Sequence, residues 1–367
     1  MPQARMSAPI LAGLLLLSSG LAGAAQTLAK TLIVEHPVIH DLEPVADKGE
    51  KWPRLHSLLV SQGGQVVYER YFNSHRPNEL ENVKSVSKSV LSALIGIAIH
   101  RGDLRGLDVT LGEFFGMELQ AVDDPEKARI SLENLLTMQS GLRSTSIENY
   151  GAWVASDNWV SAALESPLVA EPGEDMVYST GNTHLLSAIL TRATGQSTFD
   201  FAREVLADPM GFELAPWPRD PQGIYFGGND MALTPRQLLQ LGELYLQNGR
   251  MGDQQIIPAE WVEASLAPRA KSPQGDARYY GYGWWVTELM GHTVPHAWGH
   301  GGQFIMLVPD LDLVLVSTSA GDADSDANNH ANNVFRMLQQ VIQTFDRHAA
   351  RSRMTRASQR IPVTTFK

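Results

Sequence analysis

Residues 82–99 read NVKSVSKSVLSALIGIAI, and two side chains in that run can do chemistry together: the hydroxyl of Ser85 and the amine of Lys88. Residues three apart share a helix face. A serine hydroxyl attacks a carbonyl only when a neighbouring base takes its proton. A lysine is such a base only while neutral, a state favoured by burial and by the positive end of a helix. The same residues also suit an ordinary helix start, because Ser is a favoured N-cap. A Ser-x-x-Lys spacing arises by chance about once in a chain of this size. Two other segments carry useful groups. Tyr178-Ser179-Thr180 stands in a short polar stretch after the turn signal Pro172-Gly173 and before an apolar run. Gly301 and Gly302, beside His300 in WGHGGQF (298–304), fall inside a strand-like pattern. Glycine in a strand marks close approach of a ligand or another backbone, and a free strand edge there can donate an N–H to an oxyanion.

The flanking periodicities say what must position these groups. Val86, Val90, Leu91, Leu94, Ile95, Ala98 and Ile99 predict a helix from Ser85 to Gly102 with a wide buried face. HSLLVSQGGQVVYERYFN (56–73) predicts a β-hairpin. The middle of the chain predicts helices at 130–142 with a Ser131 cap, 159–168, 183–195 ending at Gly195, 234–249 with Pro in the first turn, and 258–266. Strand-like runs follow at 279–289, 296–309 and 311–320, then a closing helix at 332–345. The pattern predicts an α+β fold: an antiparallel sheet built from both chain ends and flanked by helices, with an inserted all-helical lobe and a crevice between the two. The expected partition is one catalytic domain over 25–350, its sheet-bearing lobe at 52–102 plus 277–350 and its helical lobe at 103–276. The tail 351–367, with Arg351, Arg353, Arg356 and Arg360, reads as basic, solvated and flexible.

Composition narrows the function classes. A formal charge of −11 argues against nucleic acid as a partner, since phosphate binding needs clustered Lys and Arg. The first residues, MPQARMSAPILAGLLLLSSGLAGAA, combine Arg5, an apolar stretch at 9–17 and an Ala22-Gly23-Ala24 cleavage site. They read as a signal peptide over 1–24, too short for a membrane span. The chain has no cysteine, hence neither a disulfide framework nor a lipid-bearing Cys. The expectation is a periplasmic or secreted protein with no stable membrane insertion after cleavage. Oligomeric state carries no signal in the sequence.

Ser-x-x-Lys, Tyr-Ser-Thr and His-Gly-Gly in this order, with LLTMQSGL, GGNDMALTPRQL (227–238) and YGYGWW (280–285) between them, resemble the class C β-lactamase and DD-peptidase group of serine hydrolases. That group includes penicillin-recognising enzymes, esterases and 6-aminohexanoate-dimer hydrolases, and the likeness spans about 52–345. It implies a β-lactamase/transpeptidase-like fold, Ser85 as nucleophile and Lys88 as base. It implies that Tyr178 shares the proton relay, its phenol ionising more easily beside lysine charge. It implies an oxyanion hole from the backbone N–H groups of Ser85 and Gln303, and substrate contacts at Thr180, His300, Gly301 and Gly302. It implies neither cofactor nor metal, and a small ester, amide or peptide as substrate. Thr180 stands where the β-lactamases of this class have Asn, and His300 where they have Lys. A neutral His holds a carboxylate less well than Lys. The expected activity is therefore hydrolysis of an ester or amide, with little or none on β-lactams. The alternatives are a silent binder of cell-wall peptides and a true β-lactamase or DD-peptidase.

Other residues invite rival readings. Ser156-Asp157-Asn158 matches a class A β-lactamase element, but without a Lys-Thr-Gly strand it reads as a helix cap beside packing residues Trp153 and Trp159. His292, His296 and His300 fall four apart, yet Pro295 and the glycines forbid the helix that would converge them on a metal. Asp322, Asp324 and Asp326 resemble the start of a calcium loop but lack its glycine and terminal Glu.

Overall fold

The computed structural model describes residues 38–275, 278–322 and 326–358, with side chains up to residue 351. The segment read as an export signal lies outside these residues, as does 359–367 of the tail. Eight strands form one sheet: β1 (Leu55–Gln62), β2 (Gln65–Tyr71), β3 (Ala270–Lys271), β4 (Arg278–Tyr280), β5 (Trp285–Leu289), β6 (His292–Gly299), β7 (Gln303–Val308) and β8 (Leu313–Ser319). Their order is β2-β1-β8-β7-β6-β5-β4-β3, antiparallel throughout. The first strands thus pair with the last, as the strand-rich chain ends predicted.

Side chains alternate across this sheet, and both faces are covered. On one face Leu58, Val60, Phe304, Met306, Leu313 and Leu315 pack with α1 (Ile39–Ala46) and the long closing helix. On the other, Leu59, Ile305, Leu307, Val314 and Val316 join a larger core with α2 (Ser87–Arg101), α3 (Leu132–Leu136), α4 (Thr180–Thr194) and α5 (Pro235–Leu246). Burial of both faces explains why β7 and β8 read as nearly continuous apolar runs. Helix α2 is buried from Ser87 through Ala98 on every side and ends at left-handed Gly102. Among the described residues no helix is long and apolar enough to cross a membrane.

The local signals hold where short-range chemistry sets them. Gly63 and Gly64 turn the β1–β2 hairpin at positive φ. Ser131 and Thr234 each close a capping box at the start of α3 and α5. Asn158 caps the helix Trp159–Glu165, and Trp153 and Trp159 pack at 5.3 Å, as the cap reading predicted.

Five elements differ from the sequence pattern. The strand expected over 296–309 is two strands joined by a turn at His300–Gly302, where Gly301 and Gly302 take φ of 86° and 106°. Apolar alternation on both sides hid the break. Helix α3 stops at Leu136, because Met138 and Gly141 adopt φ of 62° and 74° and send Met138 into a separate aromatic cluster. The last helix, α6 (Ala327–Ser358), runs well past 345, so its backbone is helical into the segment expected as a flexible tail. The later run of sheet strands begins with β3 at Ala270, and α5 packs on β1, β7 and β8, so both β3 and α5 belong with the sheet rather than the expected helical lobe.

Gly242 sits where α5 crosses the sheet: a Cβ there would meet Val314 Cγ1 at 2.5 Å and Ile305 Cγ2 at 2.9 Å. Overpacking of this kind costs about 1–3 kcal/mol. Gly242→Val should lower the midpoint of urea unfolding accordingly, and unchanged stability would contradict this close helix–sheet contact.

Candidate active site

Ser85 lies in a single 3₁₀ turn, Lys84–Val86, that runs directly into α2. The helix therefore starts two residues later than its pattern suggested, and Ser85 is partly exposed at its head while Lys88 is inside. Lys84 has φ of 50°, a left-handed conformation for a residue with a side chain. It is held there from two sides: its N–H donates to Asn82 Oδ1 at 3.0 Å and its Nζ to Asp230 Oδ1 at 3.0 Å. Asp230 also accepts from Asn82 Nδ2 at 2.8 Å and itself has φ of 62°. One carboxylate thus holds two left-handed residues, Lys84 and Asp230 itself, beside Ser85.

The Lys88 amine is 1% exposed and makes three contacts. It donates to the Gly228 carbonyl at 2.6 Å, and lies 3.1 Å from Ser85 Oγ and 3.4 Å from Thr180 Oγ1. Burial pushes its pKa down to about 7, with the Asp230 carboxylate pulling back upward. Near neutral pH a large fraction is the free amine, able to take a proton from Ser85.

The Tyr178 ring lies beneath this amine, 5.2 Å from Nζ to its centroid. Its phenol does not ionise easily, contrary to the expectation. Burial pushes its pKa up to about 12, against a smaller downward pull from its hydrogen bond with the Ser85 side chain. Tyr178 is therefore a protonated donor at neutral pH rather than a resting phenolate. The ring stacks on Trp285 at 5.5 Å and meets Tyr280 edge-on at 5.9 Å, which desolvates it.

Thr180 is not on the cleft surface. It is 4% exposed, and its hydroxyl links Lys88 to Ser146 Oγ at 2.8 Å. It positions the amine from behind.

The turn after β6 approaches Ser85 closely. A Cβ on Gly299 would overlap the Val83 carbonyl, two residues before the nucleophile. The β5–β6 ladder ends at the pair His296–Trp285, so on that side Ala297–Gly299 has no strand partner among the described residues. This open edge is the free backbone expected from the glycine-rich strand. Gln303 lies one strand further in, fully buried as the register partner of Gly299, with its side chain bonded to the Ser319 backbone. Gly301 and Gly302 are glycines for the protein's own packing: a Cβ would meet the Ala320 carbonyl at 2.5 Å or Ser319 Oγ at 2.9 Å. His300 is exposed at the rim, and desolvation, Lys84 and Arg54 hold its pKa below the usual histidine value. It carries no dependable positive charge at pH 7.

Several residues here had no chemical signature in the sequence. Gly228 supplies the acceptor for Lys88, in a loop pinned by the fully buried pair His184 Nε2–Asp220 Oδ2 at 3.0 Å. Gly227 and Gly228 must be glycine, because a Cβ on either would overlap Thr183. The run GGND was visible, but nothing local assigned it to the lysine.

Two histidine sets bear on metal binding. His292 bonds Asp310 and His296 bonds the Val294 carbonyl. His56, His75 and Glu81 offer ligand atoms within 4.8 Å of one another. The two imidazoles are stacked, 3.4 Å apart at 13°, so an ion between them would lie well out of both ring planes. The arrangement suits a carboxylate shared by two imidazoles.

A family model described as Beta-lactamase matches residues 56–336. The chain belongs to the beta-lactamase family. Its curated relatives include the 6-aminohexanoate-dimer hydrolase of Paenarthrobacter ureafaciens, 22% identical over 290 residues and 72% of each chain. Another is penicillin-binding protein 4* of Bacillus subtilis, 23% identical, covering 75% of this chain and 70% of that one. Among solved structures, the hydrolase EstCE1, described as having promiscuous acyltransferase activity, superposes with a TM-score of 0.68 at 18% identity, over 85% of this chain and 99% of that one. The penicillin-binding protein of Bacillus halodurans gives 0.63 at 14%, over 81% and 99%. The fold is the β-lactamase/transpeptidase fold, and the family is one of serine hydrolases.

Lys88 must lose its proton to act as base. Turnover should rise with pH through an apparent pKa of about 7, falling about tenfold per unit below it. Asp230→Asn removes the charge that favours the ammonium, so this acid limb should move to lower pH. A limb that stays in place or moves upward would contradict the coupling.

Proposed function

We propose that this protein is an exported serine hydrolase that cleaves an ester or simple amide through an acyl-enzyme on Ser85, with weak or no action on β-lactams. The observation that carries the reading is the buried Lys88 amine 3.1 Å from Ser85 Oγ, deprotonated for much of the time at neutral pH.

Lys88 takes the Ser85 proton as Oγ attacks the carbonyl carbon. The oxyanion sits against the Ser85 N–H at the head of α2 and an N–H of the Gly299–Gln303 turn. Tyr178 gives its proton to the departing oxygen or nitrogen and recovers one from the Lys88 ammonium. The same pair takes a proton from water as it attacks the acyl carbon, and delivers that proton to Ser85 Oγ as the acyl C–Oγ bond breaks and the acid leaves.

Neutral His300 and inward-facing Thr180 favour an ester or amide over a β-lactam. A named 6-aminohexanoate-dimer hydrolase among the relatives supports a linear amide. A second reading, a silent binder of cell-wall peptides, draws on the same substitutions and on the penicillin-binding relative.

The test is intact mass and product burst after brief exposure to p-nitrophenyl butyrate, a penicillin and a linear amide oligomer. Ser85→Ala should lose the adduct and about 10³-fold or more of the ester turnover. Full activity in that variant would overturn the reading. Micromolar muropeptide binding with no acylation by any donor would favour the binder.

A further inference from the structure

Four cations stand in or near the cleft, and three are accounted for. Lys88 is the base. Lys84 is paired with Asp230 at 3.0 Å, and Arg54 with Asp322 at 2.6 Å. Arg278, on β4, has no carboxylate partner among the described residues. It is only partly exposed, and desolvation without a counter-charge lowers its pKa. Its guanidinium carbon lies 5.8 Å from the Trp285 ring centroid and 6.0 Å from that of Trp298. Contacts with aromatic faces orient a guanidinium without neutralising it. A part-buried charge with no partner is costly, and a ligand anion removes that cost.

The position of this cation relates it to the active site. Trp285 stacks on Tyr178 at 5.5 Å, so the two steps through its ring bound the distance from Tyr178 to Arg278 at about 11 Å. Trp298 belongs to β6, immediately before Gly299, and so borders the open edge beside Ser85. A chain lying along that edge passes Trp298 on its way to the guanidinium. Extended chain covers about 3.3–3.6 Å per residue, so some three residues' length spans the gap.

We propose that Arg278 is a specificity-determining residue that binds a carboxylate at the end of a linear substrate, about three residues' length from the scissile bond. It supplies the anion recognition that neutral His300 cannot. The proposal rests on the hydrolase reading for its substrate class, yet its binding step can be tested apart from turnover.

Two measurements decide it. The first is calorimetric binding of N-acetyl-trialanine and its C-terminal amide to Ser85→Ala protein. The carboxylate form should bind at least about tenfold more tightly. Adding Arg278→Gln should erase that preference, and adding Arg278→Lys should keep part of it. A preference that survives Arg278→Gln, or none in the Ser85→Ala parent, overturns the proposal. The second is kcat/KM for mono-p-nitrophenyl suberate relative to p-nitrophenyl octanoate. This ratio should fall about tenfold in Arg278→Gln, through KM. An equal loss on both esters means a structural role and overturns it. Failure of Ser85-dependent turnover on both esters refutes the esterase form of the hydrolase reading, while the binding arm still decides Arg278.

Discussion

A lysine ammonium cannot be buried without a counter-charge at small cost, and this site is arranged around that constraint. Lys88 is 1% exposed and, among the described residues, has no carboxylate in contact. Its pKa falls from 10.5 to about 7. One pKa unit is worth about 1.4 kcal/mol, so at pH 7 the fold bears a penalty on the order of 4 kcal/mol. Because the folded pKa lies below the unfolded one, the penalty is complete below about pH 7 and vanishes as pH rises past the unfolded value. The same desolvation leaves much of the amine unprotonated near neutral pH, the state the proposed base needs. The neighbouring groups are neutral dipoles: the Gly228 carbonyl, the Thr180 hydroxyl and Ser85 itself. A carboxylate in contact would restore the ammonium and end the chemistry.

Asp230 shows how closely that balance is set. It is near enough to raise the Lys88 pKa, but its hydrogen bonds go to Lys84 and Asn82. One carboxylate thus holds the left-handed backbone at Lys84, ahead of Ser85, and raises the pKa of Lys88 behind it. The loop bearing Asp230 also bears Gly228, and the buried His184–Asp220 pair holds the start of that loop against α4. Distance in sequence and proximity in space meet here: residues 82–88, 180–184 and 220–230 form one unit.

Much of this was legible in the sequence where local chemistry decides. The α2 pattern, the hairpin at Gly63-Gly64, the capping boxes at Ser131 and Thr234 and the Gly102 and Gly195 stops are short-range signals. Ser85, Lys88 and Tyr178 do come together. What the sequence hid depends on long-range environment. The acidity of Tyr178 turned out opposite in sign, because Trp285 and Tyr280, a hundred residues on, exclude water from it. Thr180 faces inward because Ser146 claims its hydroxyl. Gly301 and Gly302 are required as glycine by the turn and by its approach to the end of β8. Arg278 gave no signal, since its significance lies in having no carboxylate partner among the described residues.

The most direct test is the titration of Lys88 itself, followed by NMR of protein carrying ¹³C-labelled lysine, with Lys88→Arg to assign the resonance. The account predicts a midpoint of about 7, well separated from the surface lysines. A resonance titrating with the others near 10 would mean that Lys88 stays an ammonium at neutral pH, and a different group would have to take the Ser85 proton.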